Sequence, residues 1–272
     1  HASKRLSTSK LRDYASRGAR FFAAKHVTRT TPEQPSTDAQ VFGQVFEDIC
    51  QGRPFNADGK LVLKDREFRS TEDKKWRDDH LAAGRVFVKQ EDIDRAMTMR
   101  EALEDNETAL QMIRACRQQP TAWRDYVGTP GIQSRPDWAS SDGCLASGYE
   151  PFTLDLKSTR SLAKMASGKA VIEHGYHAQA ALARETFHAA TGTSPRCFLL
   201  ACEKALPFRC QVIEVTPEWL DAGWRWCARQ LDRLASHYAS GDWPRVSREM
   251  VALPDVPTWA DRDDVAEEEE AA

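Results

Sequence analysis

The order of residue patterns predicts a mixed α/β (α+β) fold, with a central mixed sheet flanked by helices. Three observations lead there. Helical periodicity dominates residues 1–120, and short extended segments first appear near residue 131. From that point the elements run strand, strand, helix, strand, strand, helix. A doubly wound parallel sheet is not expected, because no strand–helix unit repeats.

In chain order, Ser7 or Ser9 caps a first helix reaching about Ala24, with Leu11, Tyr14, Gly18 and Phe21 on one face. Thr30–Asp38 reads as a loop. Asp38 caps a second helix to about Cys50, whose inward stripe is Phe42, Val45, Phe46 and Ile49. Residues 52–80 are charged and aperiodic and read as a loop-rich excursion. A third helix covers Glu91–Arg117, with Ile93, Ala96, Met99, Leu103, Leu110 and Ile113 apolar. Extended segments follow at Gly131–Asp137 and Pro151–Lys157, separated by a Ser/Gly-rich stretch at Ser140–Gly148. A helix spans Val171–Thr191, then strands Cys197–Cys202 and Phe208–Val215. The last helix runs from Pro217 to about Ser240, with Pro in its first turn and Gly241 beyond its end.

Charge is unevenly spread. The net charge of −3 hides an acidic stretch at 261–272, with seven acids and one Arg, and a basic start: residues 1–30 hold eight Lys or Arg and one Asp. A basic segment on a nearly neutral body suits a polyanionic partner, although a solvated helix face reads the same way. No apolar run approaches the about 20 residues of a membrane helix, so no membrane partner is expected. Seven scattered cysteines without a CxxC pair point to reduced thiols in a cytoplasm-like compartment. No phosphate loop, GxGxxG or GxSxG is present, which sets aside the common nucleotide-binding and serine-hydrolase signatures.

The chemistry-bearing pattern is Arg135-Pro136-Asp137, followed after seventeen residues by Asp155-Leu156-Lys157. Positions two apart on a strand share a face, so Asp155 and Lys157 project together. With Asp137 ending the preceding strand, two carboxylates and an amine can hold Mg2+ or Mn2+ beside a water. The Lys would orient that water, help deprotonate it, or stabilise charge developing on a phosphate. A surface ion pair on a strand is the competing reading. The next helix carries Ile172, Tyr176, Gln179, Ala183 and Phe187 at helical spacing. A Tyr and a Gln on an inward stripe need polar partners, which a cleft or the backbone can supply. Glu47, on the flank of the second helix, is a candidate further metal ligand or a solvated helical acid.

These segments together resemble a known family. LSTSKLRDYASRGARFF, FGQVFEDI, KDREFRSTEDKKW, AMTMREAL, GIQSRPDW, LDLKSTRS, HGYHAQAAL, LACEKALPFRCQVIEV, ASGDWPRV and VALPDVPTWA are similar, in order and spacing, to the RecE-type exodeoxyribonuclease VIII branch of the PD-(D/E)xK nucleases of phage and prophage recombination. The resemblance implies a restriction-endonuclease-like core in one domain over 1–260. Residues 1–120 form its helical part, 121–260 its catalytic core, and 261–272 an acidic tail expected to be disordered. It implies that Asp137 and Asp155 bind metal, that Lys157 assists the water, and that Tyr176 and Gln179 belong to the motif on the following helix. Glu47 stands where RecE-like and RecB-like members usually carry His, and where ring-forming phage exonucleases carry Glu.

The implied activity is Mg2+-dependent hydrolysis of linear double-stranded DNA, 5′→3′, leaving 3′ overhangs for a single-strand annealing protein. Arg12, Arg17 and Arg20 are candidates for gripping the DNA end. A trimeric or tetrameric ring in the cytoplasm of a bacterial or phage-infected cell would follow. Some relatives hold an iron–sulfur cluster, but Cys197, Cys202, Cys210 and Cys227 are spaced differently, and no cluster is expected. An endonuclease on the same core and a non-catalytic DNA-end-binding module are the alternatives.

Overall fold

The computed structural model describes residues 3–32, 36–54, 56, 59–140 and 150–244. Most of the Ser/Gly-rich stretch, Cys144, the VALPDVPTWA segment and the acidic tail lie outside these residues.

Helix α1 (Thr8–Phe22) kinks at Gly18, where φ 80° and ψ 175° leave the helical region, and it runs on into a π-helical turn at Ala23–Val27. Only glycine takes that φ without strain. The kink advances the buried stripe by one residue. Ala19 and Phe22, instead of the expected Gly18 and Phe21, follow Leu11 and Tyr14 inward. Helix α2 (Asp38–Cys50) is capped by Thr37 rather than Asp38: the Thr37 hydroxyl takes the Gln40 N–H while the Gln40 side chain takes the Thr37 N–H. Asp38 becomes the first helical residue, where its charge meets the positive end of the helix dipole.

The expected loop at 52–80 holds structure. Strand β1 (Leu61–Leu63), helix α3 (Thr71–Ala82) and strand β2 (Val86–Val88) form a small unit in which β1 and β2 pair in parallel. No residue of α3 is buried, so no apolar period marks it in the sequence. The single helix expected over 91–117 is two, α4 (Gln90–Glu104) and α5 (Glu107–Arg114). Asn106 breaks them by accepting the Ala109 N–H as a new cap.

The chain then forms β3 (Arg117–Gln118), an antiparallel ribbon of β4 (Ala122–Arg124) and β5 (Ile132–Ser134), and β6 (Trp138–Ser140). The extended segment expected at 131–137 supplies β5 of the ribbon and then Arg135-Pro136-Asp137, the link to β6 of the main sheet. Strand β7 (Phe152–Thr159) crosses through α6 (Leu162–Ala166), α7 (Lys169–Glu173) and α8 (Tyr176–Thr191) to the parallel strand β8 (Arg196–Glu203). Strand β9 (Cys210–Val215) and helix α9 (Pro217–Ser240) follow. The main sheet has the order β3-β6-β7-β8-β9, with all pairs antiparallel except β7/β8. Gly175, at φ 67°, splits the helix expected over 171–191 and leaves Ile172 exposed instead of on the inward stripe.

Alternation along β7 and β8 divides the core. Leu154, Leu156, Leu200 and Cys202 pack with Val41, Val45 and Phe46 of α2 and with Met99 and Leu103 of α4. Cys197, Leu199 and Ala201 face Ala180 and Ala181 of α8 on the other side. Helix α9 backs α8, and its Cys227, Leu231 and Leu234 join Leu11 and Phe22 of α1 in a third cluster. Among the described residues no helix is long and apolar enough to cross a membrane.

The α8–α9 contact is close because Gly223 has no side chain. A Cβ there would lie 2.3 Å from the His177 carbonyl oxygen. Gly223→Ala is therefore expected to destabilise the fold by about 3 kcal/mol, through forced separation of the helices. Chemical denaturation would show it as a lowered midpoint with an unchanged slope.

Candidate active site

The inner strand β7 presents Asp155 and Lys157 on the face turned toward α8, because their neighbours Leu154 and Leu156 fill the opposite core. Both side chains are covered, Asp155 to 5% exposure and Lys157 to 12%. The Lys157 Nζ lies 3.7 Å from Asp155 Oδ1, and Gln179 Nε2 donates to the same oxygen at 3.1 Å. The ammonium also lies 5.0 Å from the centre of the Tyr176 ring, within cation–π reach. Gly175 makes this possible, since its left-handed turn starts α8 at Tyr176. Tyr176 and Gln179 then project one turn apart over the strand.

Asp137 reaches the same place from β6. Trp138 pairs with Leu154, so continuing the antiparallel register one residue sets Asp137 opposite Asp155. The Leu156 N–H donates to Asp137 Oδ2 at 2.7 Å, and the Asp137 carbonyl accepts the Gln119 N–H at 2.8 Å. Burial, and next the facing Asp155, push the Asp137 carboxyl up to about 7. Lys157 and the Leu156 N–H pull the other way, and Glu47 adds to the rise. Lys157 shows the reverse balance. Burial lowers its pKa, but Asp155, Asp137, Tyr176 and Glu47 outweigh burial and hold it above the ordinary lysine value. At neutral pH it is a charged donor.

Glu47 sits on α2, in the layer against the Leu154/Leu156 face. Its Oε1 accepts from Gln51 Nε2 and Arg53 Nη2, each at 3.1 Å, and from Gln119 Nε2. Gln119 thus touches both Glu47 and Asp137. No periodic pattern singles it out in the sequence, since it lies in a bend at φ 45° beyond β3.

A cleft of about 710 Å³ opens beside Asp155. Asp155, Tyr176 and Gln179 line it, as do Arg12, Arg135, His174 and the first turn of α1 at Ser7, Thr8 and Ser9. Arg12 donates to the His174 carbonyl at 2.7 Å and so braces the Gly175 turn. Arg17 and Arg20 are exposed on α1 but are not among the lining residues, and Arg17 stacks on Phe21. Arg135, passed over in the sequence as a flank of the acid motif, joins Arg12 instead.

Two facing carboxylates, one of them held toward its neutral form, make an electrostatic demand for a cation. Their oxygens suit Mg2+ or Mn2+, which take one or two carboxylates and fill other positions with water or phosphate. Asp137 and Asp155 fit such an ion. Among the described residues no three His, Cys, Asp or Glu side chains stand close enough to hold one together. Glu47 acts on the pair through its charge and its link to Gln119.

The sequence matches the model of a PDDEXK-like domain of unknown function (DUF3799) over residues 7–252. No curated protein matches it. In three dimensions it is similar to a crystal structure from Eubacterium rectale that bears the name "Putative exonuclease", with a TM-score of 0.63 and 14% identity. The match covers 95% of this chain and 92% of that one. At this identity the likeness is one of fold.

The raised Asp137 pKa has a consequence for stability. An unfolded Asp loses its proton near pH 4, whereas the folded one keeps it to about 7. Between those values the native state binds more protons, so stability falls as pH rises, with the full penalty present above about 7. Metal-free Asp137→Asn is expected to gain on the order of 2 kcal/mol over the unmodified protein at pH 8 and little at pH 4. Thermal melts in chelator across that range would check the sign.

Proposed function

The chain belongs to this PDDEXK-like family, and from that premise we propose that it is a metal-dependent DNA exonuclease hydrolysing phosphodiester bonds of linear duplex DNA. The observation that supports this best is the meeting of Asp137, Asp155, Lys157 and Gln179 beside a polar cleft edged by Arg12 and Arg135. The cleft lining offers the cations of Arg12 and Arg135 to a phosphate backbone and carries the Asp155 carboxylate, with Asp137 and Lys157 behind it. A cation held by Asp137 and Asp155, with the Glu47 charge adding to their field, would neutralise charge on the scissile phosphate.

The chain's own groups divide the remaining work. Lys157, kept charged by its carboxylate neighbours, orients the attacking water or stabilises charge on the phosphoryl oxygens. Gln179 fixes the Asp155 carboxylate, leaving its second oxygen for the reacting centre. Tyr176 holds the Lys157 ammonium against its ring and limits its reach. Arg12 and Arg135 take the phosphate backbone, with Arg17 and Arg20 further along α1 as outer contacts.

The RecE-type resemblance supports the finer assignments: 5′→3′ polarity, 3′ overhangs handed to a single-strand annealing protein, and a trimeric or tetrameric ring working in the cytoplasm. Magnesium is the metal expected, and manganese should substitute for it.

Linear duplex DNA should be digested in Mg2+ and left intact in chelator, with covalently closed circles spared in both. Lys157→Ala should lower the rate at least about 100-fold, the scale of losing one preorganised charge partner at a developing anion. Equal activity of the two proteins would overturn the site, and nicking of closed circles would turn the reading to an endonuclease.

A further inference from the structure

The ribbon that supplies part of the cleft lining also carries an exposed indole that the catalytic reading does not use. The N-terminal arm joins the β4–β5 ribbon as a third extended edge: the Leu6 N–H donates to the Gly131 carbonyl, and the Gln133 N–H to the Leu6 carbonyl. Leu6, Ile132 and Ala122 are buried beneath this edge. The opposite face carries Trp123, which stands across from Gln133 in the ribbon register. Gln133 lines the cleft and accepts a hydrogen bond from Ser3, and Thr121, two residues before Trp123, lines it as well. Trp123 is therefore set among cleft residues on two sides.

Its exposure is unusual for so large an apolar ring. Trp123 is 49% exposed, whereas Trp138 on β6 is fully buried. The Arg5 guanidinium lies 4.0 Å from the centre of the indole and covers part of it. An exposed indole with a guanidinium beside it, next to a cleft bearing Arg12 and Arg135, matches a nucleic-acid strand in both charge and stacking chemistry. A flat base gains from the ring and its phosphate gains from the cations, and no base identity is required.

We propose that the Arg5–Trp123 pair is a stacking subsite for an unpaired nucleobase of the DNA end that enters the cleft. The proposal rests on the nuclease reading above. It adds a residue that positions the strand end, through contact with a base and without touching the reacting phosphate. Its contribution falls on strand ends that can fray or are already single-stranded, because a paired base has no free face.

The test uses short single-stranded oligonucleotides in Mg2+ with Lys157→Ala, so that binding is read without cleavage. Each oligonucleotide is compared with a copy lacking the bases near its 5′ and 3′ ends. Trp123→Ala should weaken binding of the intact oligonucleotide about tenfold, the scale of one lost base–aromatic stack, and leave binding of the abasic copy unchanged. Trp123→Phe should restore most of the loss, which separates stacking from misfolding. Equal binding of the intact oligonucleotide by Trp123→Ala and its parent would overturn the subsite. So would a Trp123→Ala protein that changes only its assembly mass, since the indole would then be a contact between copies. Digestion of linear duplex by the unmodified protein keeps the two claims apart. If it digests DNA and Trp123 proves irrelevant, the subsite alone falls; if it neither binds nor digests DNA, both fall.

Discussion

The burial of the Asp137 carboxyl beside Asp155 is the constraint on which the candidate site depends. Asp137 directly precedes β6, whose first residue Trp138 pairs with Leu154, and this brings two carboxylates together where they are buried. Such a pair is costly unless donors and cations surround it. Nearly every nearby polar contact serves that need: the Leu156 N–H on Asp137, and Gln179 and Lys157 on Asp155. The repulsion that remains is what a divalent cation held by the pair would relieve.

The apolar layers make this arrangement rigid. Leu154 and Leu156 lock one face of β7 into the α2–α4 core, so Asp155 and Lys157 have no freedom to turn away from α8. On the far side, the small residues Ala178, Ala180 and Ala181 let α8 lie close to the sheet and to α9. Gly223 permits the same closeness from α9. Burying each large aliphatic side chain contributes roughly 2 kcal/mol, and that sum is what tolerates a buried charge cluster. The position of Gln179 over Asp155 is thus a packing result as much as a hydrogen-bond result.

The cleft shows how a basic segment becomes directional. Eight Lys or Arg residues crowd the first 30 positions, yet Arg12 is the cleft-lining arginine of α1, where it braces the Gly175 turn. Arg135 is contributed by the link between the ribbon and the sheet. The pairing of Arg12 with Arg135 depends on the arm and the ribbon being held together through Leu6 and Ile132.

The helix and strand patterns, the Asp155/Lys157 spacing and the inward Tyr176 and Gln179 were legible in the sequence, because period-2 and period-3.6 alternation are local properties of the chain. The mixed α/β class followed from their order. Local patterns did not reveal α3, which buries nothing, nor the breaks at Gly18, Asn106 and Gly175, where one residue's backbone or side chain overrides a continuing apolar stripe. Tertiary structure alone decided that Asp137 lies beside Asp155, that Gln119 ties Glu47 to Asp137, that Arg135 lines the cleft, and that Trp123 stands across from the cleft residue Gln133. Those relations join residues distant in sequence through strand register and layer packing. A register shift of one residue would reverse them without altering any local pattern.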